Sequence, residues 1–193
     1  MQNGNDIKFW FQTIRRFLLH PTEAWNHIPE NFSGNNALFS KRFLSFCIAI
    51  SFIVLLFSLI RLNFLHAIIY GLIAFASDFF GIYLVYLLIR EYLIGKEQIP
   101  VNTTLSLIVY SSVIFLLFHN LSFTFGGNFI GQLLNLISLL FLRTLYTGIN
   151  QTIELTTVQK TNLFIVTGLA IIFIPVIIHK LLTILFHLPA FNL

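Results

Sequence analysis

Charge is what this sequence has least of. Asp, Glu, Lys and Arg make up 9% of its 193 residues, against 57% that are hydrophobic. A soluble domain carries roughly a quarter charged residues, so this chain lacks the polar surface to cover itself in water. A bilayer is its natural solvent. Cysteine is nearly absent too: Cys47 stands alone inside an apolar run. That excludes an intramolecular disulfide and two-cysteine metal motifs, and leaves Cys47 as small filler facing lipid or a neighbouring helix. Basic residues, 11 against 7 acids, nowhere interleave with aromatics in a run, which excludes a nucleic-acid groove. Catalytic patterns are missing as well. The six histidines have no HExxH or comparable metal-ligand spacing, and no GxSxG or Walker pattern occurs. No Gly-x-Gly-Asp with a second membrane aspartate points to an intramembrane protease. The sequence therefore predicts no enzyme, no metal and no cofactor. Residues 1–40 contain no apolar h-region followed by a small-residue cleavage site, so no cleaved signal peptide is expected.

What is present is a series of long apolar runs. The stretch "FLSFCIAISFIVLLFSLI", Phe43 to Ile60, has 18 uncharged residues and spans about 27 Å, enough for a hydrocarbon core. Further spans are expected at 64–89, 101–118, 129–150 and 161–186, the third opened by Pro100 at a first-turn position. The expected architecture is all-α and polytopic: residues 1–40 as a cytoplasmic amphipathic segment, then a five-helix transmembrane domain over 41–193. With five spans, Lys8, Arg15, Arg16, Lys41, Arg42, Arg90, Lys96 and Lys160 fall on one side and Arg61 on the other. The positive-inside rule then puts the N-terminus in the cytoplasm and the C-terminus outside. Abundant Phe, Ile, Leu and Asn point to a low-GC bacterial genome, hence to an inner membrane.

The N-terminal segment fits that picture. In "DIKFWFQTIRRFLLH", Ile7, Phe11, Ile14 and Leu18 recur at helical spacing beside Trp10 and Phe17, while Lys8, Gln12, Arg15 and Arg16 fill much of the remaining circumference. Such a helix is expected to lie in the inner interface with its cations on anionic headgroups. His20 before Pro21 is disfavoured from helical geometry, so the chain turns there. Pro21 can open a second short helix, with Glu23 in its first turn, that ends by Pro29. Trp10 and Trp25, both tryptophans of the chain, are expected at the lipid–water boundary, where indoles prefer to sit. Trp10, Arg15, Arg16 and Trp25 are thus the predicted interfacial anchors.

The stretch "P-T-E-A-W-N-H-I", a short polar gap and five spans together resemble the bacterial branch of the Yip1 domain family. "EYLIGKEQIPVNTTLSLIVYSSVIF" is similar to that family's glycine–lysine loop and third span, with Gly95, Lys96, Tyr110 and Ser111 at the matching positions. "LYTGINQTIELTTVQKTNLFIV" resembles its exit from the fourth span and basic entry into the fifth, through Tyr146, Gly148, Ile149 and Lys160. The likeness covers about residues 8–185. A proline often follows the tyrosine motif in the family, and this chain has Val113 and Ile114 there. The resemblance implies five transmembrane helices, a cytoplasmic N-terminus and no catalytic residues. Trafficking by eukaryotic relatives through Rab-type GTPases does not transfer to a bacterium, which has no Rab.

Within the spans, three charged residues are candidates for function: Asp78, Arg143 and Lys180. A charge at a span's centre costs about 2.5–3.5 kcal/mol on insertion scales, so an intramembrane acid points to function by default. Asp78 can pair with Arg143 or Lys180, or stay protonated, to fix helix packing, or form a proton- or ion-linked site with Ser77 or Asn135. Arg143 and Lys180 can instead snorkel to the headgroups. His179 reads as an interfacial residue. Pro175 and the span glycines, Gly81 and Gly148 among them, read as packing devices. The expected function is a non-enzymatic membrane organiser, a scaffold or accessory subunit acting through protein or lipid contacts. The alternative is a small-solute or ion transporter using Asp78. Expected partners are the bilayer, anionic headgroups at its inner face, and a membrane-protein partner or a second copy.

Overall fold

Hydrocarbon offers no partner to a backbone N–H or C=O, which leaves helices or a closed barrel as spanning structures. This chain uses helices. A computed structural model describes residues 3–26, 38–94, 101–125 and 128–188, with no strand among the described residues. Two short helices, α1 (Asn3–Leu19) and α2 (Pro21–Asn26), come first. A π-helical turn, Leu38–Phe43, leads into α3 (Leu44–Arg61), followed by α4 (Phe64–Ile94) and α5 (Val101–Phe125). The fourth span is split into α6 (Phe129–Ser138) and α7 (Phe141–Thr152), and α8 (Thr157–Leu185) is the last. Five segments are long and apolar enough to cross a membrane: Lys41–Ile60, Phe64–Leu93, Thr103–Phe125, Phe129–Thr152 and Thr157–Leu185. This is the architecture of a multi-pass membrane protein. The Gly95–Lys96 loop, Pro29, Pro100 and residues 189–193 lie outside the described residues.

Local chemistry sets several boundaries. Asn63 caps α4, its Oδ1 accepting the His66 backbone N–H at 2.9 Å. Thr156 and Gln159 form a reciprocal capping box that starts α8 at Thr157, a turn before the predicted entry. The third span runs on through Phe125, so "HNLSF", predicted as outer loop, is helical. The fourth span, predicted as continuous, breaks at Leu139–Leu140, where the Leu142 and Arg143 N–H groups bond three residues back. No glycine or proline sits at the break. Ser138 is buried and its hydroxyl donates to the Asn135 carbonyl at 2.6 Å, a back-bond of the kind that bends helices.

The bundle is organised around α5. Its most apolar stretch is 72% buried, against 28–50% for the other spans, and it packs on α3, α4, α6, α7 and α8. α8 runs antiparallel to α4, and Gly81 sits against Pro175, so close that a Cβ there would come within 2.9 Å of the proline ring. Pro175 therefore stays inside α8 with its ring seated in the notch that Gly81 leaves.

Candidate functional site

The N-terminal helices are packed into the bundle. On α1, Trp10, Ile14 and Phe17 form one buried stripe while Lys8, Arg15 and Arg16 stay exposed. Trp10, Phe17 and Trp25 surround Tyr110 of α5, with ring centroids 6.0, 5.5 and 6.2 Å away. The Trp10 indole N–H donates to the Arg42 carbonyl at 2.8 Å, in the π-turn, and the Trp25 indole to the Thr144 carbonyl at 2.9 Å. Arg42 lies over the Phe9 ring at 4.4 Å, a cation–π contact. Gly148 makes room: a Cβ on it would lie 2.5 Å from the Trp25 ring. The two indoles predicted as anchors are covered by protein. Both rings are seated in protein, 4% and 5% exposed, because each N–H finds a backbone carbonyl and each ring a fitted aromatic seat. Arg15 and Arg16 remain the outward cations of this end.

A polar cluster occupies the interior further along α5. Asp78, near the middle of α4, is 3% exposed. Its Oδ2 accepts a hydrogen bond from Asn120 Nδ2 at 2.9 Å, and the same amide donates to the Leu116 carbonyl at 2.8 Å. Both donors of Asn120 are thereby used, which fixes the orientation of the amide and ties α4 to α5. Arg143 and Lys180 are exposed and do not reach Asp78; among the described residues no cation pairs with it. Of the alternatives the ion pair is not formed, since both cations point away from the core, and the carboxyl bonds an amide instead. The Cys47 thiol, buried on α3, is within electrostatic range of Asp78.

Ser77 extends the cluster. Its hydroxyl donates to the Ala74 carbonyl at 3.0 Å and lies 3.4 Å from His179 Nδ1. The other ring nitrogen, Nε2, is buried without a partner. The His179 ring meets Phe123 edge-on at 4.9 Å and feels His119, which stacks on Phe115 at 5.0 Å and takes Asn135 as its hydrogen-bond neighbour. His179 is thus half-buried between helices. Asn120 and His119 were hidden from sequence reasoning by the short third span. The signal that could have found them is continuity, because "VIFLLFHNLSFTF" carries no helix breaker.

The direct side-chain contacts among these groups are Asp78 with Asn120, between α4 and α5, and Ser77 with His179, between α4 and α8. Among the described residues no group of three or more His, Cys, Asp or Glu side chains converges to hold a metal ion. Chemically the arrangement can store and pass hydrogen bonds between helices. No protein-family model, curated protein or solved structure matches this chain.

Proposed function

We propose that this chain is a non-enzymatic membrane scaffold or accessory subunit of the Yip1 type, acting through contacts its spans and α1 make with proteins and lipids. One observation carries the reading: Asp78 is enclosed and fastened to Asn120, while the cations that would line a path with it face outward. A buried acid used this way locks helix packing. The absence of enzymatic activity rests on the lack of any catalytic motif in the sequence. The positive-inside bias supports a bacterial inner membrane with α1, and its exposed Lys8, Arg15 and Arg16, on anionic headgroups of the cytoplasmic face. Exposed Phe11 and Leu19 on α1 suit the same surface. Copurification of the tagged chain in nanodiscs tests the reading. A stoichiometric protein partner is expected, and a chain that never retains one counts against it.

A second reading, solute or ion transport, is favoured by the neighbourhood of Asp78: His119, Asn135 and the unpartnered His179 Nε2. Undiminished flux through reconstituted Asp78→Asn would remove that site from consideration.

A further inference from the structure

A charged side chain exposed on a span, or close to its end, marks either a route to the headgroups or a contact. Arg143 is exposed on α7, and by helical rise it lies about 13 Å from the Thr152 end. Snorkelling is poor there. Helix side chains lean toward the helix N-terminus, which for α7 is the middle of the span and not the nearer headgroups. Glu91 is exposed on α4 and lines an apolar groove between α4 and α8 with Leu84, Leu88, Ile174 and Ile177. Neither side chain has an ion pair or hydrogen bond among the described residues.

α8 lies between the two charges. On one flank Tyr146, a turn beyond Arg143, meets Phe164 of α8 edge-on at 5.8 Å. The other flank is the groove that ends at Glu91. Between them α8 presents Ile165, Leu169, Phe173 and Ile177, 49–54% exposed and four residues apart, a single ridge of the kind that fits another helix's grooves. The charges also stand at similar depth. Asp78 bonds Asn120, and α4 runs antiparallel to α5, so thirteen residues along each helix Glu91 is level with Leu107. Leu107 touches the Gly148 position, so Glu91 stands about 7–8 Å from Arg143 along the axis, within the joint reach of the two side chains.

We propose that this face is where a second copy of the chain packs, α8 ridge against α8 ridge, with Arg143 of each copy on Glu91 of the other. A twofold axis along the membrane normal brings the α7 flank of one copy opposite the α4 flank of the other. Opposite charges then meet twice in one self-complementary contact. Arg90 projects about 100° around α4 from Glu91, out of the groove. Lys180, exposed beyond Ile177, lies past the crossing at Leu169–Phe173, where the helices have diverged and its amine has the headgroups in reach. The dimer goes beyond the scaffold reading and does not rest on it, since a transporter can pair through the same face.

Oxidative cross-linking of the full chain in native membranes tests the proposal, with the parent chain and its buried Cys47 as control. Phe173→Cys is expected to give a cross-linked dimer, whereas Ile130→Cys, equally exposed at 54% on α6, is not. Arg143→Glu is expected to lower the Phe173→Cys yield about tenfold, and adding Glu91→Arg to restore it. Cross-linking at Ile130→Cys in place of Phe173→Cys, or a yield indifferent to Arg143→Glu, overturns the dimer. Should the charge variants fail to fold, the two lipid-facing cysteines decide alone. Native mass spectra showing a monomer whose bound anionic phospholipid is lost in Arg143→Glu assign the cation to a lipid phosphate and also overturn it. A foreign subunit cross-linked at Phe173→Cys overturns the dimer while leaving the scaffold reading standing.

Discussion

Around Tyr110 and around Asn120, about 15 Å apart on α5, the bundle meets the same demand, that polar atoms in an apolar interior find partners, in opposite ways. At Tyr110 two indole N–H groups reach two backbone carbonyls, and rings pack on rings. At Asn120 an amide meets the Asp78 carboxyl, and on the same stretch of α4 Ser77 meets His179, whose Nε2 is left without a partner. The first region is a seat that fastens α1 and α2 to the bundle through packing. The second is a fastening through hydrogen bonds, which in low dielectric are strong when satisfied and costly when not. Stability should therefore depend on volume at the first and on donor–acceptor matching at the second.

Several variants sharpen that contrast. Trp25→Ala should have the largest effect, about 3–5 kcal/mol by analogy with aromatic truncation in cores, with α1 and α2 becoming accessible to protease. Detergent unfolding and limited proteolysis in nanodiscs read it directly. Gly148→Ala, which adds one methyl under the Trp25 ring, should cost about 1–3 kcal/mol by overpacking. In the polar region, Asn120→Leu keeps the volume but removes the donors to Asp78, for an expected loss of about 1–3 kcal/mol. Asp78→Asn retains an oxygen for the Asn120 amide and should cost less than about 1 kcal/mol. If Asp78→Asn were the more damaging of the two, the cluster would be held by charge and not by the hydrogen bond. A cost of about 1 kcal/mol is expected of Thr156→Ala, which removes the cap of α8 without touching either region.

Much of the fold was legible because composition dictates it. Runs such as Phe43–Ile60 have no other soluble or amphipathic reading, and the turn at His20–Pro21 follows from proline sterics. The break at Leu139–Leu140 was not legible, because nothing in "LISLLFL" interrupts a helix. It depends on tertiary contacts, Phe141 being buried against Phe115 at 5.4 Å, and on the Ser138 back-bond. The Thr156–Gln159 box was readable as Thr-x-x-Gln, and the apolar pattern around it masked the signal. For the site, Asp78 stood out by charge alone, but its partner did not, since an asparagine near a predicted span end looks like loop. The protein cover over the indoles was hidden for a related reason. An amphipathic stripe reads the same whether lipid or protein covers it, and the seat on Gly148 lies more than a hundred residues away in sequence.

We propose that Asp78, bonded to Asn120, fastens helices and carries nothing across the membrane. Proton and cation flux into vesicles reconstituted with the full chain tests it most directly. Flux indistinguishable from protein-free vesicles, in both the parent chain and Asp78→Asn, is the expected result. Flux in the parent chain that Asp78→Asn abolishes would contradict it.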